Sequence, residues 1–243
     1  MDKINKILVI IPTYNEKENI IRVIERALAV DDRISILVVD DGSPDGTGAI
    51  VQGIIRDNPR VQLFQRSGKQ GLGSAYVTGF KYALEKQFDA VVQMDADFSH
   101  NPDDIKNLIQ HAENNAHFVI GSRYVSGVNV VNWPLQRLLL SYFASIYSRW
   151  VTGMPYHDLT AGFSLIRHEV LKAINLDNIR SNGYSFQIEI KYLSWRKGFR
   201  IVECPIIFIE RAEGRSKMNR RIVIEAIFMV WKLRLSSILE KFQ

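Results

Sequence analysis

Cysteine is almost missing from this chain: Cys204 is the only one among 243 residues. One thiol closes no intramolecular disulfide and founds no thiolate metal cluster, so a reducing, cytoplasmic setting is expected and the core itself must hold the fold. Cys204 reads as an inert, half-buried thiol. Long apolar runs are missing too, and no stretch reaches the roughly 18 uninterrupted residues of a membrane span. The nearest, Ile222 to Leu239, is broken by Glu225, Lys232 and Arg234. The N-terminal apolar run is too short for a signal-peptide core and is closed by Pro12. Glycine-rich phosphate loops are absent as well. After the first apolar run, where a dinucleotide-binding fold keeps G-x-G-x-x-G, stands Pro12-Thr-Tyr-Asn-Glu16, and the later GLGSAY lacks the third glycine. GKQGLG is not a P-loop. A dinucleotide-dependent oxidoreductase is thereby disfavoured.

What is present is apolar material, 47% of the chain, enough for the core of one large α/β domain. A formal net charge of +5 admits anionic partners: phosphates, nucleic acid or an acidic membrane surface. Nucleic acid is disfavoured because the Lys and Arg residues form no aromatic-interleaved stripe. Short β-branched runs alternate with helical patterns: KILVII, then Glu16 to Ala29; ISILVVD, then Asp45 to Asp57; VQLF, then Gly71 to Lys86; FDAVVQMD, then Pro102 to Asn114; and HFVIG. That alternation predicts βαβ units, a mostly parallel sheet and a doubly wound architecture covered on both faces. Asn101-Pro102 and Ser43-Pro44-Asp45 mark helix starts. The second half is less regular, with a loop near residues 122 to 133, a helix from Pro134 to about Val151 and a final strand pair around Phe199 to Ile209.

In an open parallel sheet, ligands bind beyond the carboxyl ends of the strands. Polar groups gather there: Pro12-Thr-Tyr-Asn-Glu16, Asp40-Asp41-Gly-Ser-Pro-Asp-Gly-Thr47, Asp95-Ala-Asp97 and Gly121-Ser-Arg-Tyr124. Taken alone, DDGSPDGT is equally well ordinary turn chemistry; four such ends on one rim favour a site. Asp95 and Asp97 are two residues apart, so in extended backbone both face one small volume. Two carboxylates held there repel unless a cation lies between them or one is protonated. An oxygen-only pair suits Mg²⁺ or Mn²⁺ completed by substrate phosphates. Such an ion also neutralises the charge of a departing diphosphate.

The set PTYNE (12 to 16), DDGSPDGT (40 to 47), GLGSAY (71 to 76), DADFSH (95 to 100), GSRY (121 to 124), RLLLS (137 to 141), DLTAGF (158 to 163) and RAEGRSKM (211 to 218) runs across nearly the whole chain. It resembles the family 2 glycosyltransferases of GT-A fold and, among them, the dolichyl-phosphate and polyprenyl-phosphate mannose synthases. The resemblance implies a Rossmann-like GT-A domain over residues 1–218; the stripe of Glu225, Lys232, Ser236 and Glu240 beside a broad apolar face predicts a C-terminal amphipathic helix over 219–243. It implies an inverting transfer of mannose from GDP-mannose to a polyprenyl monophosphate. Transfer from UDP-glucose or another UDP-sugar is the alternative. Pro12, Tyr14, Glu16, Val39 and Asp41 would hold base and ribose, and Asp95, Ala96 and Asp97 the diphosphate and metal. Ser99, standing where some relatives carry Gln, would be a further metal ligand. Arg123 would reach the phosphate region at the sugar, and Arg211 and Lys217 would close on the donor diphosphate, where cations stabilise developing charge.

On the acceptor side, Arg137 and Ser141 share a helix face. With Arg123 they would bind a phosphomonoester, for which Arg offers a fork of donors, and Asp158 would position acceptor or metal. A phosphate acceptor is already anionic near neutral pH, so no catalytic histidine is required; His100 and His157 read as local hydrogen-bonding residues. A lipid acceptor brings the protein to the cytoplasmic face of a membrane. The segment from Arg221 onward either packs on the domain or lies in the interface, and contact is made directly or through a separate membrane subunit.

Overall fold

The computed structural model describes residues 3–179, 181, 183–210 and 228–235. Its first strand, β1 (Ile7–Thr13), shows why the chain needs two covered faces. Ile7, Val9 and Ile11 enter one apolar cluster while Leu8 and Ile10 enter another, so side chains that alternate across the strand are all buried. The sheet continues through β2 (Ile34–Asp40), β3 (Val61–Gln65), β4 (Ala90–Gln93), β5 (Phe118–Ser122), β7 (Ser164–Arg167) and β8 (Ile201–Pro205). Its order is β3-β2-β1-β4-β7-β5-β8. β7 runs antiparallel to β4 and β5, and every other pairing in the sheet is parallel.

Helices α1 (Ile20–Val30), α2 (Thr47–Asp57) and α4 (Ile105–Glu113) cover one face; α3 (Leu72–Glu85), α6 (His168–Ala173) and α7 (Gly183–Arg196) cover the other. Backbone at Gly79 lets α3 lie close on β1, because a Cβ there would stand 2.7 Å from the Ile10 side chain. This close approach brings the start of α3 beside the strand ends. Between β5 and β7 runs α5 (Leu135–Thr152). Its end, α7 and the helical residues 228–235 form a third cluster that buries Val151, Ile188, Tyr192, Val230 and Leu233.

The doubly wound, mostly parallel sheet expected from the apolar alternation is observed. The larger differences lie in the second half. The expected final strand pair is two strands that do not pair with each other: β8 extends the large sheet beside β5, while β9 (Phe208–Ile209) joins β6 (Val130–Val131) in a small parallel ribbon. α7 escaped prediction because residues 185–192 are buried in succession, which erases the polar stripe that betrays a surface helix. α1 begins at Ile20 rather than Glu16, since residues 16–19 form a turn in which the Glu16 carbonyl accepts from both Asn19 and Ile20.

Candidate active site

At the carboxyl ends of β1 and β2, Asp40 is fully buried and accepts hydrogen bonds from Thr13 Oγ1 at 2.9 Å and the Ser43 amide at 3.0 Å. Beyond it, Asp45 accepts from the Thr47 amide and hydroxyl, and Thr47 Oγ1 accepts from the Glu16 amide at 3.0 Å. The turn chemistry legible in DDGSPDGT therefore holds PTYNE in place. Asp41 is ion-paired with Arg66, whose guanidinium also donates to Ser74 Oγ at 2.6 Å and the Gly71 carbonyl at 3.1 Å. The four together lock the loop before α3 against the end of β2.

These elements enclose a narrow cleft of about 240 Å³ whose lining includes Pro12, Tyr14, Glu16, Asp41, Asp95, Ala96 and Asp97. Lys69 lies over the Tyr14 ring, its Nζ 4.7 Å from the centroid. Of the residues assigned to base and ribose, Val39 is not in the lining; it is fully buried in the core beneath.

Asp95 and Asp97 also line a second cleft of about 470 Å³, which continues past Ser99, His100, Arg123, Thr160, Gln187 and Tyr184 to Arg137 and Glu210. The carboxylate pair thus stands at the junction of the two. Asp97 Oδ1 accepts from the Ser99 amide at 3.0 Å and its hydroxyl at 2.6 Å, so Ser99 orients the carboxylate. His100 is buried, stacks on Phe163 at 5.0 Å and accepts the Asp95 amide on Nδ1 at 3.2 Å. Burial lowers its pKa to about 4, so it is neutral at ordinary pH and its accepting nitrogen is occupied by backbone. Beneath the pair, Tyr76 is wholly buried; desolvation, then the charges of Asp95 and Asp97, raise its pKa well above the usual value.

A divalent cation fits this donor set in kind. The pair offers oxygens alone, and among the described residues no third His, Cys, Asp or Glu completes a cage, which leaves coordination to donor phosphates and water.

Across the second cleft, Arg123 follows β5 and is held by Asp158: its Nε and Nη2 donate to the two carboxylate oxygens at 2.7 Å each, and its amide donates at 3.0 Å. Nη2 also reaches Thr160 Oγ1 at 2.9 Å, and the guanidinium lies 5.1–5.7 Å from the ring centroids of Tyr124, Trp133 and Phe208. Burial alone would raise the Asp158 pKa, but the Arg123 charge and hydrogen bonds override it and hold the carboxyl below its usual range. Arg123 is correspondingly raised, again by Asp158 against burial. Arg137 projects from α5 into the same cleft, ion-paired with Glu210 and stacked 4.4 Å over Trp133; its Nε is buried and has no partner among the described residues. Ser141 is not in the lining. It accepts from the Tyr124 hydroxyl at 2.9 Å and so buttresses the ring beside Arg123. Arg211 and Lys217 lie outside the described residues.

Several participants gave no signal in the sequence. Glu203 on β8 accepts from Ser122 Oγ, His157 and the Asp158 amide, fixing the loop that carries Asp158. Lys191 is fully buried, donates to the Ala161 carbonyl at 2.7 Å, and is lowered by burial to about 7. Arg66, Lys69 and Gln187 were missed for the same reason: each is an isolated residue whose role comes from long-range packing. Burial likewise pushes the Cys204 thiol up to about 11, consistent with an inert group.

A predominantly parallel sheet with a cleft and a carboxylate pair at its carboxyl edge is the arrangement expected of a glycosyltransferase of the GT-A fold. The sequence profile of glycosyl transferase family 2 matches residues 8–174, and the chain belongs to that family. The polyprenol monophosphomannose synthase of Mycolicibacterium smegmatis is 46% identical over 230 residues, spanning 93% of this chain and 87% of that protein. The undecaprenyl-phosphate mannosyltransferase of Micrococcus luteus is 43% identical over 232 residues, 96% of this chain and 95% of its own. Among solved structures, mannosyltransferase PcManGT from Pyrobaculum calidifontis, in complex with GDP-Man and Mn²⁺, is similar with a TM-score of 0.58 at 18% identity, covering 95% of this chain and 70% of that one.

Proposed function

We propose that this glycosyltransferase moves mannose from GDP-mannose to a polyprenyl, dolichyl-type monophosphate with inversion at the anomeric carbon. The observation that carries the reading is the continuity of the site: the carboxylate pair that suits a donor diphosphate and the two arginines that suit a phosphomonoester line one cavity. The names of the two relatives, which match nearly the full length of the chain, give the same acceptor class and sugar.

In this reading Pro12, Tyr14, Glu16 and Asp41 shape the slot for base and ribose, with Lys69 across it. Mg²⁺ or Mn²⁺, when bound, neutralises the donor diphosphate. Asp95 and Asp97 would hold that ion, Ser99 keeping Asp97 in its rotamer. Arg123 and Arg137 draw the acceptor phosphate in; Asp158 positions Arg123, and Ser141 acts through Tyr124. An acceptor phosphate oxygen attacks the anomeric carbon as the bond to the nucleoside diphosphate breaks. The attacking oxygen is already anionic, so no residue has to remove a proton, and the neutral His100 is not asked to. Rate comes from positioning and from fixed charge around the diphosphate, to which the resemblance adds Arg211 and Lys217.

No described helix is long and apolar enough to cross a membrane. The lipid end is instead met peripherally: α5, which carries Arg137 on its cleft side, exposes Leu135, Leu139, Phe143, Ile146 and Trp150 elsewhere, and Trp150 packs edge-on against Trp231.

The test offers purified protein radiolabelled GDP-mannose or UDP-glucose with a short polyprenyl phosphate, with and without Mn²⁺ or Mg²⁺, and counts label in the organic phase. Metal-dependent transfer from GDP-mannose is expected. Transfer from UDP-glucose alone overturns the donor, and label from neither overturns the acceptor.

A further inference from the structure

Gln187 is the side chain of the cleft whose position is least explained by the fold. It is 2% exposed, it lines the 470 Å³ cavity, and neither its Oε1 nor its Nε2 has a hydrogen-bond partner among the described residues. Buried amides are ordinarily satisfied, because desolvating an unpaired donor and acceptor is costly. The backbone around this one is, by contrast, firmly held. Lys191 Nζ donates at once to the Ala161 carbonyl and, at 3.2 Å, to the Gln187 carbonyl, pinning α7 to the segment that precedes Gly162. A side chain with both polar ends unpaired on a fixed backbone is prepared for a ligand rather than loosely packed.

Its surroundings narrow what that ligand is. A Cβ added at Gly162 would come 3.9 Å from Gln187 Nε2 and 3.8 Å from His100 Cε1, so the amide and the imidazole flank the same bare backbone. The imidazole in turn takes the Asp95 amide. Gln187 and His100 thus stand close together in the wall of a cavity that Asp95, Asp97, Arg123, Thr160 and Arg137 also line. On the proposed reading, cations serve the phosphates at either end. A neutral amide offers one donor group and one acceptor, the complement of a hydroxyl, which both gives and takes a hydrogen bond.

We infer that Gln187 reads a hydroxyl of the sugar being transferred, as a specificity-determining residue that holds the hexose between donor diphosphate and acceptor phosphate. This rests on the reading of the site as a sugar-nucleotide transferase.

The experiment compares wild type with Gln187→Met, which keeps length and removes both polar atoms. Three quantities are read: kcat/KM for GDP-mannose, the inhibition constant of GDP, which lacks the sugar, and the melting temperature. kcat/KM should fall about 10- to 100-fold, the loss of one or two neutral hydrogen bonds, with GDP inhibition unchanged. The melting temperature should stay level or rise, since two unpaired buried atoms are gone. Among GDP-deoxymannoses, one analogue should cost wild type the same factor and cost the variant nothing further. Unchanged kcat/KM, an equal loss of GDP affinity, or strict additivity with every deoxy analogue overturns the inference. Wild-type turnover of GDP-mannose is the separate control on the donor: without it that reading falls, and Gln187 is then judged on the nucleotide sugar that wild type does use, against its own free nucleotide.

Discussion

Replacing Asp158 with asparagine changes one oxygen for an amide and removes a single charge, yet the structure makes it a severe change. Both members of the pair are buried, and Asp158 accepts three hydrogen bonds from Arg123 alone. Leaving a buried guanidinium without its counter-charge costs about 3–5 kcal/mol. A domain of this size loses about 2–4 °C per kcal/mol, so a fall in Tm of about 6–20 °C is expected by thermal unfolding followed by circular dichroism. Lys191, already lowered to about 7 by burial, loses the support of the Asp158 charge and sheds its proton more readily, so below about pH 7 it adds to the variant's loss. The pH dependence has a definite sign. The Asp158 carboxyl titrates below its usual 3.8 in the folded state, so its contribution is complete above that value and is lost as pH falls through the lower one. The part of the gap that belongs to the carboxylate itself should therefore be constant from neutral pH to about 5 and be lost only in strong acid, while the Lys191 part widens the gap as pH falls below about 7. Removing both charges together, Arg123→Met with Asp158→Leu, should recover most of the stability while transfer to lipid phosphate stays lost. A single variant within about 2 °C of wild type, with unchanged acceptor turnover, would refute both the energetic reasoning and the positioning role.

Asp97→Asn should reduce kcat by about 10²–10³-fold, and a chelator should then take away little more; full metal-dependent turnover in the variant would remove Asp97 from the cation site. Arg137→Ala should raise KM for a short polyprenyl phosphate about 10- to 100-fold and leave KM for the donor alone, measured by varying each substrate in turn. His100 titrates at about 4 when folded against an ordinary 6.5, so the unfolded chain takes up its proton first; urea unfolding should show stability falling between pH 6.5 and 4 by about 3 kcal/mol, a slope that His100→Gln lessens. Phe143→Ser with Trp150→Ser should weaken binding to anionic liposomes while turnover of a short, water-soluble acceptor is unchanged; equal liposome binding would exclude this face of α5 from membrane contact.

The strands that determine the site were legible because each is buried on both faces and so reads as an unbroken apolar run: β1, β2, β4 and β5 fall where the pattern puts them. Asp95 and Asp97 were legible for the same reason, since a charge pair stands out at the end of such a run. β7 was not legible. It has four residues, enters between β4 and β5 in the opposite sense, and announces itself by no turn of its own. α7 was hidden by being buried nearly all round, and with it went Gln187 and Lys191. The Arg123–Asp158 pair joins residues 35 apart in sequence, a distance over which no local pattern reports contact; Asp158 was singled out only through the family resemblance, which left its role open between acceptor and metal. The structure makes it the partner of Arg123.

One helix, α5, presents Arg137 to the cleft and its leucines, Phe143 and Trp150 to the outside. On the proposed reading the two faces of this helix measure concentration in different dimensions. The donor arrives from a volume, but the acceptor arrives from a plane, and the quantity that sets turnover is its mole fraction in that plane rather than its molarity in the tube. Inert lipid added at constant total acceptor should then slow the reaction by surface dilution alone, while extra buffer at constant lipid composition leaves the acceptor term untouched as long as the protein stays bound.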